Sequence, residues 1–318
     1  MHFPTDINLL WDSARKSIEL IEKLIDGTEN SGWRKRRYWL RRIKRAFNKA
    51  NRRMFAGGKA KEEHLLEEVM QYLNIAERLS KKIKASEEQL KEIAEDIDHK
   101  GKVYKELGYF EEMLDKHIDL VRRRIIFKEK IPHKEKLFSL FEPFTRWVNK
   151  GKGGNRIELG LPIAVSSDQY GFFLHNQVME KEVDAEIAVP VAEEIIKKWP
   201  KLDSLSFDKG FYSKENYLAL KEKVSTLVMP KRGKLNKEEL HRETSKEFIR
   251  LRRRHSAIES DINALEHHGL NRCPDKGIDH FKRYVSLGIL SLNLHRLGNI
   301  LLEQDRKHLI ARKKLKAA

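Results

Sequence analysis

The sequence has 318 residues, a formal net charge of +17 at neutral pH and 36% charged residues. This length predicts about two domains, and an apolar content of 40% is enough for a hydrophobic core. So large a cationic excess favours a polyanionic partner, nucleic acid first and an anionic membrane surface second, over a small neutral substrate. Cys273 is the single cysteine, which excludes an internal disulfide and a cysteine-rich zinc site and is typical of a reducing compartment.

Residues 5–130 are predicted to be helical. Thr5 or Asp6 is placed to cap a first helix, and apolar residues recur at steps of three and four from residue 59 to about 128. This periodicity predicts an antiparallel helical bundle, or alternatively a coiled coil, that forms a first domain over residues 1–130.

The segment 31–53 contains eleven Lys and Arg residues and no acid. Leu40, Ile43 and Phe47 form one narrow apolar stripe, so one side of this helix is predicted to pack while the other binds duplex DNA through phosphates. A solvated basic helix packed on the bundle is the alternative. The candidate phosphate contacts of this helix are Arg34, Arg36, Arg37, Arg41, Arg42 and Arg45.

The pattern changes at Pro132, and residues 131–318 are predicted to form a second domain. Two β-rich segments flank the turn SSDQYG, in which Asp168 is predicted to be a hairpin-turn residue. Further along, predicted helices and strands alternate. The predicted elements are strands at 155–167, 171–180, 204–208 and 225–230, helices at 184–199 and 213–224, and long helices at 237–268 and 278–305.

This order predicts a helix-rich α+β protein with a mixed sheet flanked by helices. No run of 18 apolar residues is present, and the apolar segment 285–302 is interrupted by Asn293, His295, Arg296 and Asn299. That segment is predicted to be a buried helix of a cytosolic protein, with no membrane partner.

Two carboxylates are candidates for chemistry. Asp208 ends a predicted strand, and Glu259 lies on a polar helical stripe with Arg252 and His255. A strand-end Asp and a helix Glu could together hold Mg²⁺, because hard divalent ions prefer carboxylate oxygens. The alternatives are that Asp208 is an ordinary turn former before Gly210 and that Glu259 is a solvated residue paired with a neighbouring arginine.

Two short basic loops carry further candidate DNA contacts. NKGKGG contains Lys150 and Lys152, and PKRGK contains Lys231, Arg232 and Lys234; with Arg252 and His255 they complete the candidate DNA contacts. His267 and His268 are adjacent on a predicted helix, so their side chains diverge by about 100° and do not readily share one metal ion.

The ordered motifs of the second half resemble bacterial insertion-sequence transposases of the DDE, RNase-H-like type. The resemblance implies an RNase-H-like core, with Asp208 as the second Asp of the catalytic triad and Glu259 as its Glu. It extends over nearly the whole chain, and the residues that carry it are FDKGFYS, RRRHSAIESDINALEHHGLNRC, FKRYVSLGILSLNLHRLG, LFEPFTRWVNKGK, ELGLPIAVSSDQYGF and HFPTDINLLWD.

Two departures from the family pattern accompany this resemblance. The first catalytic Asp of the family precedes the stretch that corresponds to HFPTD here, so this chain is expected to be truncated and catalytically inactive. Asp6 is the nearest acid, but it occupies a helix-cap position, and metal sites tolerate little misplacement. Glu266 stands where many such enzymes carry a basic residue, which puts one contact with the transposon end in doubt.

By this resemblance, the complete enzyme would use two Mg²⁺ ions for DNA cleavage and strand transfer. Its partner would be double-stranded DNA, both transposon ends and target, and it would act as a homo-oligomer in the cytoplasm, at the nucleoid. The alternative is a noncatalytic DNA-binding remnant that keeps the basic surface and dimerises through its helical region.

Overall fold

The computed structural model describes residues 4–28, 32–57, 61–95, 100–149 and 157–317. The chain divides into two compact units, Met1–Leu159 and Gly160–Ala318. The expected domain boundary at residue 130 stays a prediction. The candidate DNA contacts Lys150 and Lys152 lie outside the described residues.

The first unit is built from helices. The side chain of Thr5 accepts a hydrogen bond of 3.3 Å from the backbone N–H of Asn8, so Thr5 is the predicted N-cap of the first helix. The chain then leaves the bundle through a π-helical turn at Arg122–Ile126 and a 3₁₀ turn at His133–Glu135. Over the described residues, the α-helices of this unit are α1 Asp6–Ile25, α2 Arg36–Phe55, α3 Lys61–Lys84, α4 Glu87–Glu95 and α5 Lys100–Val121.

One continuous hydrophobic cluster holds the first unit together. Leu10, Ile21 and Leu114 in this cluster are completely buried. Trp33 is buried as well; its indole N–H donates a 3.2 Å hydrogen bond to the Ser86 hydroxyl, so its polar edge is satisfied inside the core. The predicted N-terminal bundle is therefore present, with a core of its own.

Two short strands, β1 Arg146–Asn149 and β2 Ile157–Gly160, form a two-stranded sheet. They follow the bundle in the chain, and most of their residues belong to the first unit.

The second unit alternates strands and helices, which confirms the predicted α+β class. In the part of the chain that the structure describes, the strands pair two by two: β3 and β4 form an antiparallel hairpin, and β5 and β6 pair in parallel. Both pairing senses of the predicted mixed sheet are present, in separate two-stranded sheets. The elements are β3 Ile163–Ser167, β4 Phe173–Val178, α6 Asp184–Lys198, β5 Ser204–Ser206, α7 Lys214–Lys221, β6 Thr226–Val228, α8 Lys237–Thr244, α9 Lys246–His255, α10 Ala257–Leu265 and α11 Ile278–Ala317.

Helix α6 packs against both of these sheets. Ile187 and Val191 lie in a cluster with Ala164 of β3 and Leu174 of β4. Ala188, on the same helix, lies in a second cluster with strand β5. One amphipathic helix thus covers one face of each strand pair.

The predicted continuous helix over 237–268 was wrong. The chain breaks at Ser245, whose backbone is extended (φ −61°, ψ 143°) and whose hydroxyl caps α9 by accepting from the N–H of Phe248 at 3.2 Å. It bends again at Ser256, whose hydroxyl donates to the carbonyl of Arg253 at 2.6 Å. Ser and Thr hydroxyls compete in this way with helical backbone hydrogen bonds, so a purely apolar periodicity did not detect the breaks.

Burial along α9 and α10 does not simply follow the apolar residues. Phe248 and Leu265 are buried, but Ile262 is 39% exposed, and the neighbouring Asp261 is buried instead. Asp261 turns inward because it has charged and hydroxyl partners there, which are described below.

Helix α11 was predicted to be buried over 285–302, and this is wrong for most of its surface. One side packs on the core of the second unit through Val285, Ile289 and Leu292, whereas other leucines of the helix are exposed, namely Leu287, Leu290, Leu294, Leu297, Leu301, Leu302 and Leu309. Among the described residues, one helical stretch, Ile278–Ala311, is long and apolar enough to cross a membrane by length and composition, which is weak evidence for a span.

Candidate active site and nucleic-acid interface

Asp208 lies where the sequence placed it, immediately after β5. Pairing with β6 continues one residue beyond the strand, because the N–H of Phe207 donates to the carbonyl of Val228 at 2.8 Å. Asp208 itself is extended (φ −72°, ψ 161°), and its carbonyl accepts from the N–H of Phe211 at 3.1 Å, closing a 3₁₀ turn. Its carboxylate is exposed. A rigid strand end therefore presents this group to solvent.

The loop after Asp208 is fastened to the start of α6. The amide nitrogen of Asn216 donates to the carbonyl of Ala185 at 2.6 Å and to that of Phe211 at 3.0 Å. Gly210 lies so close to the Asp184 carboxylate that a side chain at this position would collide with it. A side chain at residue 210 would therefore have to displace the Asp184 carboxylate. Asp184 and Asn216 emerge as positioning residues that the sequence reasoning missed.

Glu259 and His255 lie on consecutive helices, α10 and α9, and α9 packs against β5 and β6. Burial lowers the pKa of His255, while the charges of Asp208 and Glu259 act in the opposite direction on the same imidazole. The strand-end Asp and the helix Glu, which are 51 positions apart in the chain, therefore both act electrostatically on one histidine.

The predicted metal role needs more ligands than this cluster supplies. In the described ranges no group of three or more His, Cys, Asp or Glu side chains is arranged to hold a metal ion. Asp208 and Glu259 are both exposed and offer hard oxygen donors. If they held a divalent ion, they would supply two of its ligands, and the remaining positions would have to come from another carboxylate, water or a DNA phosphate.

A buried polar contact fixes α10 to the β3–β4 hairpin. Asp261 accepts from Arg296 of α11 at 2.7 Å and from the Ser167 hydroxyl of β3 at 2.7 Å. The hairpin turn is closed by Asp168, whose carboxylate accepts from the backbone N–H groups of Tyr170 and Phe172, as predicted for a turn residue. Asp261 lies two positions after Glu259, so this contact sets the helix that presents Glu259. The burial of Asp261 depends on Arg296, which lies 35 positions away, so the local sequence carries no signal for it.

Asp6, considered as a substitute ligand, lies in the first unit. Its side chain is buried and pairs with Arg124 at 2.8 Å. The structure therefore gives this carboxylate a partner within the helical bundle.

Helix α2 has the two-sided character predicted for it. Ile43, Ala46 and Ala50 are buried, and Leu40 and Phe47 pack against the core. The opposite side is cationic and exposed, and among the described residues no carboxylate pairs with Arg37, Arg41 or Arg45. The cationic face is defined here as Arg34, Arg37, Arg41, Lys44, Arg45, Arg52 and Arg53.

Two arginines of α2 that are candidate DNA contacts already have partners within the protein. Arg36 pairs with Glu22 at 2.7 Å, and Arg42 lies over the Tyr38 ring at 5.9 Å. The guanidinium of Arg36 is therefore partly neutralised, whereas that of Arg42 keeps its full charge on an aromatic face.

The remaining basic candidates lie in the second unit. Lys231 binds both oxygens of the Glu239 carboxylate at 2.8 and 2.9 Å, and this hydrogen bonding raises the pKa of its amine. Arg232 and Lys234 are exposed in the loop after β6, and Arg252 is exposed on α9, one turn before His255. Lys231 is therefore the least available of these cations.

A family model described as Transposase DDE domain matches residues 130–294, just over half of the chain. This chain belongs to the DDE transposase family. The match confirms the resemblance noted from the motifs, and it identifies the protein as a transposase, whose partner is DNA and whose fold is of the RNase-H-like type. No curated protein and no solved structure matches the chain.

The matched region contains Asp208, His255 and Glu259 and leaves out helix α2. In this transposase the candidate catalytic cluster therefore lies inside the shared domain, and the cationic face lies outside it.

Proposed function

We propose that this transposase breaks and joins DNA strands at the cluster of Asp208, Glu259 and His255, with divalent metal ions held by the two carboxylates. The observation that supports this proposal is the packing of α9, which carries His255, against β5, the strand that Asp208 follows; Glu259 lies four positions after His255, in the first turn of α10. Asp208 follows one strand of a parallel pair, where a rigid sheet can aim a carboxylate, and α9 contacts both that strand and α10, which carries Glu259.

When bound, the divalent ions would supply the Lewis acidity that activates water, and then a DNA 3′-hydroxyl, for in-line attack on a phosphodiester. The protein groups have separate roles. Asp208 and Glu259 provide anionic oxygens, and His255, with its lowered pKa, stays uncharged near neutral pH and does not compete with a cation for them. Arg252, exposed one turn away on the same face, is placed to contact the DNA backbone.

A two-metal site needs a further carboxylate that bridges the ions, and we propose that it is carried by an additional strand between β3 and β5. Within the described part of the chain, each of these strands pairs on one edge only. Helix α6 packs beneath both strand pairs, while α9 contacts β5 and α10 contacts β3. The unpaired edges of β3 and β5 support the expectation that residues 1–318 alone are catalytically inactive.

We further propose that the cationic face of α2 binds duplex DNA. Its arginines recur along one side of a 20-residue helix, which is about 30 Å long and spans close to one turn of duplex. Phosphate contacts of this kind are independent of sequence, so α2 would hold the DNA while the second unit carries out the chemistry.

A nicking assay tests the catalytic proposal. Residues 1–318 should not cut a supercoiled plasmid with Mg²⁺ or Mn²⁺. A chain extended at its N-terminus by an Asp-bearing strand should cut it, and Asp208→Asn or Glu259→Gln in that extended chain should lower the rate by at least a hundredfold. Asp203→Asn, an exposed acid just before the same strand, is the matched control. Cutting by the unextended chain that disappears in Asp6→Asn would refute this assignment, and no cutting by either chain would favour a noncatalytic DNA-binding role.

A binding titration tests the α2 proposal. The triple variant Arg37→Ala, Arg41→Ala, Arg45→Ala should weaken duplex binding equally for unrelated sequences and reduce the slope of log affinity against log salt by about three. A variant that removes the same charge from exposed positions outside α2, Lys81→Ala, Lys102→Ala, Lys105→Ala, is the control. Equal losses of affinity in the two variants would show that duplex binding depends on the net charge of the protein and not on this helix.

A further inference from the structure

The carboxylate of Glu239 contacts three segments of the second unit. It binds the amine of Lys231 with both oxygens, at 2.9 and 2.8 Å, and it accepts a 3.3 Å hydrogen bond from the hydroxyl of Tyr212. It also accepts from the backbone N–H of Asn236 at 2.9 Å, which closes a capping box at the start of α8. The side chain of Glu239 is only 14% exposed, so protein groups take the place of most of its water.

The pKa values of these groups agree with a permanent ion pair. Hydrogen bonding from Lys231 lowers the pKa of Glu239, and burial raises the pKa of the Tyr212 phenol. The carboxylate therefore stays anionic, and the phenol stays a hydrogen-bond donor. Lys231 is held a second time through its backbone, because its N–H donates to the Glu243 carboxylate at 2.9 Å. Both the backbone and the side chain of Lys231 are thus bound to the protein.

The loop that Lys231 begins carries two further cations. Arg232 and Lys234 are exposed, and neither pairs with a carboxylate among the described residues. Gly233 lies between them with φ +86°, and apart from its chain neighbours nothing lies within 4 Å of the place that a β-carbon would take. The backbone is therefore open to the close approach of a ligand. Residues 231–234 are called the basic loop.

The basic loop and Asp208 lie at the same edge of one strand pair. Strands β5 and β6 are parallel, with Ser206 opposite Val228. Asp208 follows β5 and the basic loop follows β6, so both leave the carboxyl ends of neighbouring strands, which lie about 4.8 Å apart. Ligands of open parallel sheets bind outside these ends. Tyr212 directly follows the turn that Asp208 begins, so Glu239 joins this turn to the basic loop.

We propose that Glu239 is a positioning residue, which holds the basic loop ready to bind a phosphate of the DNA strand beside Asp208. Arg232 and Lys234 would contact the phosphate, and Lys231 would brace the loop without touching DNA. A loop that is ordered beforehand loses less conformational entropy when its ligand binds. The inference rests on the proposed function, in which Asp208 belongs to the site of DNA cleavage.

Duplex binding by the full chain tests the proposal through the sign of one effect. Glu239→Gln keeps the capping box, because glutamine also accepts from the N-cap N–H, but it removes the charge that holds Lys231. Loss of an acid by itself strengthens DNA binding. We expect Glu239→Gln to weaken binding about tenfold instead, because the freed loop must be ordered on DNA. Glu238→Gln, at an exposed acid of the same helix, is the matched control and should strengthen binding slightly. Tighter binding by Glu239→Gln would overturn the proposal.

The salt dependence of binding separates a brace from a direct DNA contact. Lys231→Met should weaken binding as much as Glu239→Gln, the double variant should bind no more weakly than either, and the slope of log affinity against log salt should stay unchanged. Arg232→Ala with Lys234→Ala should reduce that slope by about two. A slope that falls by about one in Lys231→Met would make Lys231 a DNA contact and contradict its role as a brace. An unchanged slope in the Arg232 and Lys234 variant would show that the basic loop binds no phosphate.

Hydrogen exchange on the DNA-free chain gives a readout that needs neither DNA binding nor cleavage. Glu239→Gln should speed amide exchange over residues 209–212 and 231–236, whereas Glu238→Gln should leave both segments unchanged. Unchanged exchange in Glu239→Gln would overturn the proposal, even in a chain that binds DNA. If exchange changes as expected but the N-terminally extended chain fails to cut DNA, the positioning role of Glu239 is supported and the proposed cleavage site is rejected.

Discussion

The two units of this transposase bury their apolar residues in opposite ways. In the first unit a single cluster joins the described helices, and the exposed side of α2 is cationic. In the second unit the core is divided into three smaller clusters, each of the four described strands has one unpaired edge, and a long helix exposes leucines. The unit that contains the family's catalytic region is therefore the less closed of the two.

The reason for this difference is physical. Helices satisfy their backbone hydrogen bonds internally, so a bundle is complete once its apolar faces are covered. A strand needs a neighbour on each edge, and a projecting helix needs a partner for its exposed face. Among the described residues of the second unit, the strands have unpaired edges and one face of α11 is exposed. Additional chain segments or partner molecules can pack at these places.

Core truncation should show the largest difference between the units. Leu114→Ala should lower the free energy of unfolding of the first unit by about 3–5 kcal/mol, because the continuous core cannot collapse around the cavity. Leu220→Ala, at an equally buried leucine, should cost closer to 2 kcal/mol, since its smaller cluster can relax. Native-state hydrogen exchange, which reports each unit separately, is the measurement. Equal costs would indicate that the two cores are equally rigid.

A glycine in the hairpin turn should show the next largest effect. Gly171 has φ +83°, and a β-carbon there would collide with the guanidinium of Arg296 and lie 2.9 Å from a carboxylate oxygen of Asp261. Gly171→Ala should therefore destabilise the second unit by about 2–3 kcal/mol.

Gly233 provides the control for this substitution. It has almost the same backbone angle, φ +86°, but open space around it. Gly233→Ala should cost only the backbone strain, about 1 kcal/mol. Chemical denaturation of the two variants, followed by circular dichroism, measures both losses of unfolding free energy. Equal losses would show that the close approach of Arg296 and Asp261 to residue 171 is unimportant.

The pH dependence of stability should be smaller and should appear in both units. Burial lowers the pKa of His117 in the first unit and of His175 in the second, where Glu194 partly opposes the shift. A folded-state pKa below the unfolded value means that the unfolded chain binds the proton more readily. The free energy of unfolding is therefore highest above about pH 6.5, the ordinary pKa of histidine. It decreases as the pH falls below that value.

Thermal melts at pH 7.5, 6.5 and 5.5 test this expectation. His117→Asn should flatten the decrease for the first unit, and His175→Asn should flatten it for the second. Exposed His64 is the control, and His64→Asn should leave both slopes unchanged. A stability that rises on acidification would contradict the assigned sign.

The smallest effect should come from surface ion pairs, which do not distinguish the units. Arg15 and Glu19 of α1 are 2.6 Å apart, but both are substantially exposed. A double-mutant cycle with alanine at the two positions should give a coupling energy of about 0.3–0.5 kcal/mol at low salt, and less at high salt. A coupling above 1 kcal/mol would show that this pair is more than a solvated contact.

The class, the N-terminal bundle and the position of Asp208 could be predicted from the sequence, because helical periodicity and a strand followed by Asp-Lys-Gly are local signals. The breaks at Ser245 and Ser256 could not, since hydroxyl hydrogen bonds overrode an apolar period that continued through them. The burial of Asp261 also escaped prediction, because it depends on Arg296, which lies 35 positions away.

The candidate site could be predicted only in part for the same reason. The spacing along one helix placed His255 and Glu259 on a common side, and the family resemblance linked them to Asp208. The roles of Asp184 and Gly210 depend on the approach of α6 to a loop that lies far from it in the chain. Local sequence patterns carry no information on such contacts.

The burial of Trp33 gives the protein a built-in optical probe. Of its five tryptophans, Trp199 is the only one beyond residue 159, and it is half exposed, whereas Trp33 is enclosed by the bundle core. Acrylamide should quench the red-shifted emission of Trp199 and leave the blue emission of Trp33 almost untouched. Fluorescence can therefore follow the opening of each unit separately in the unlabelled protein.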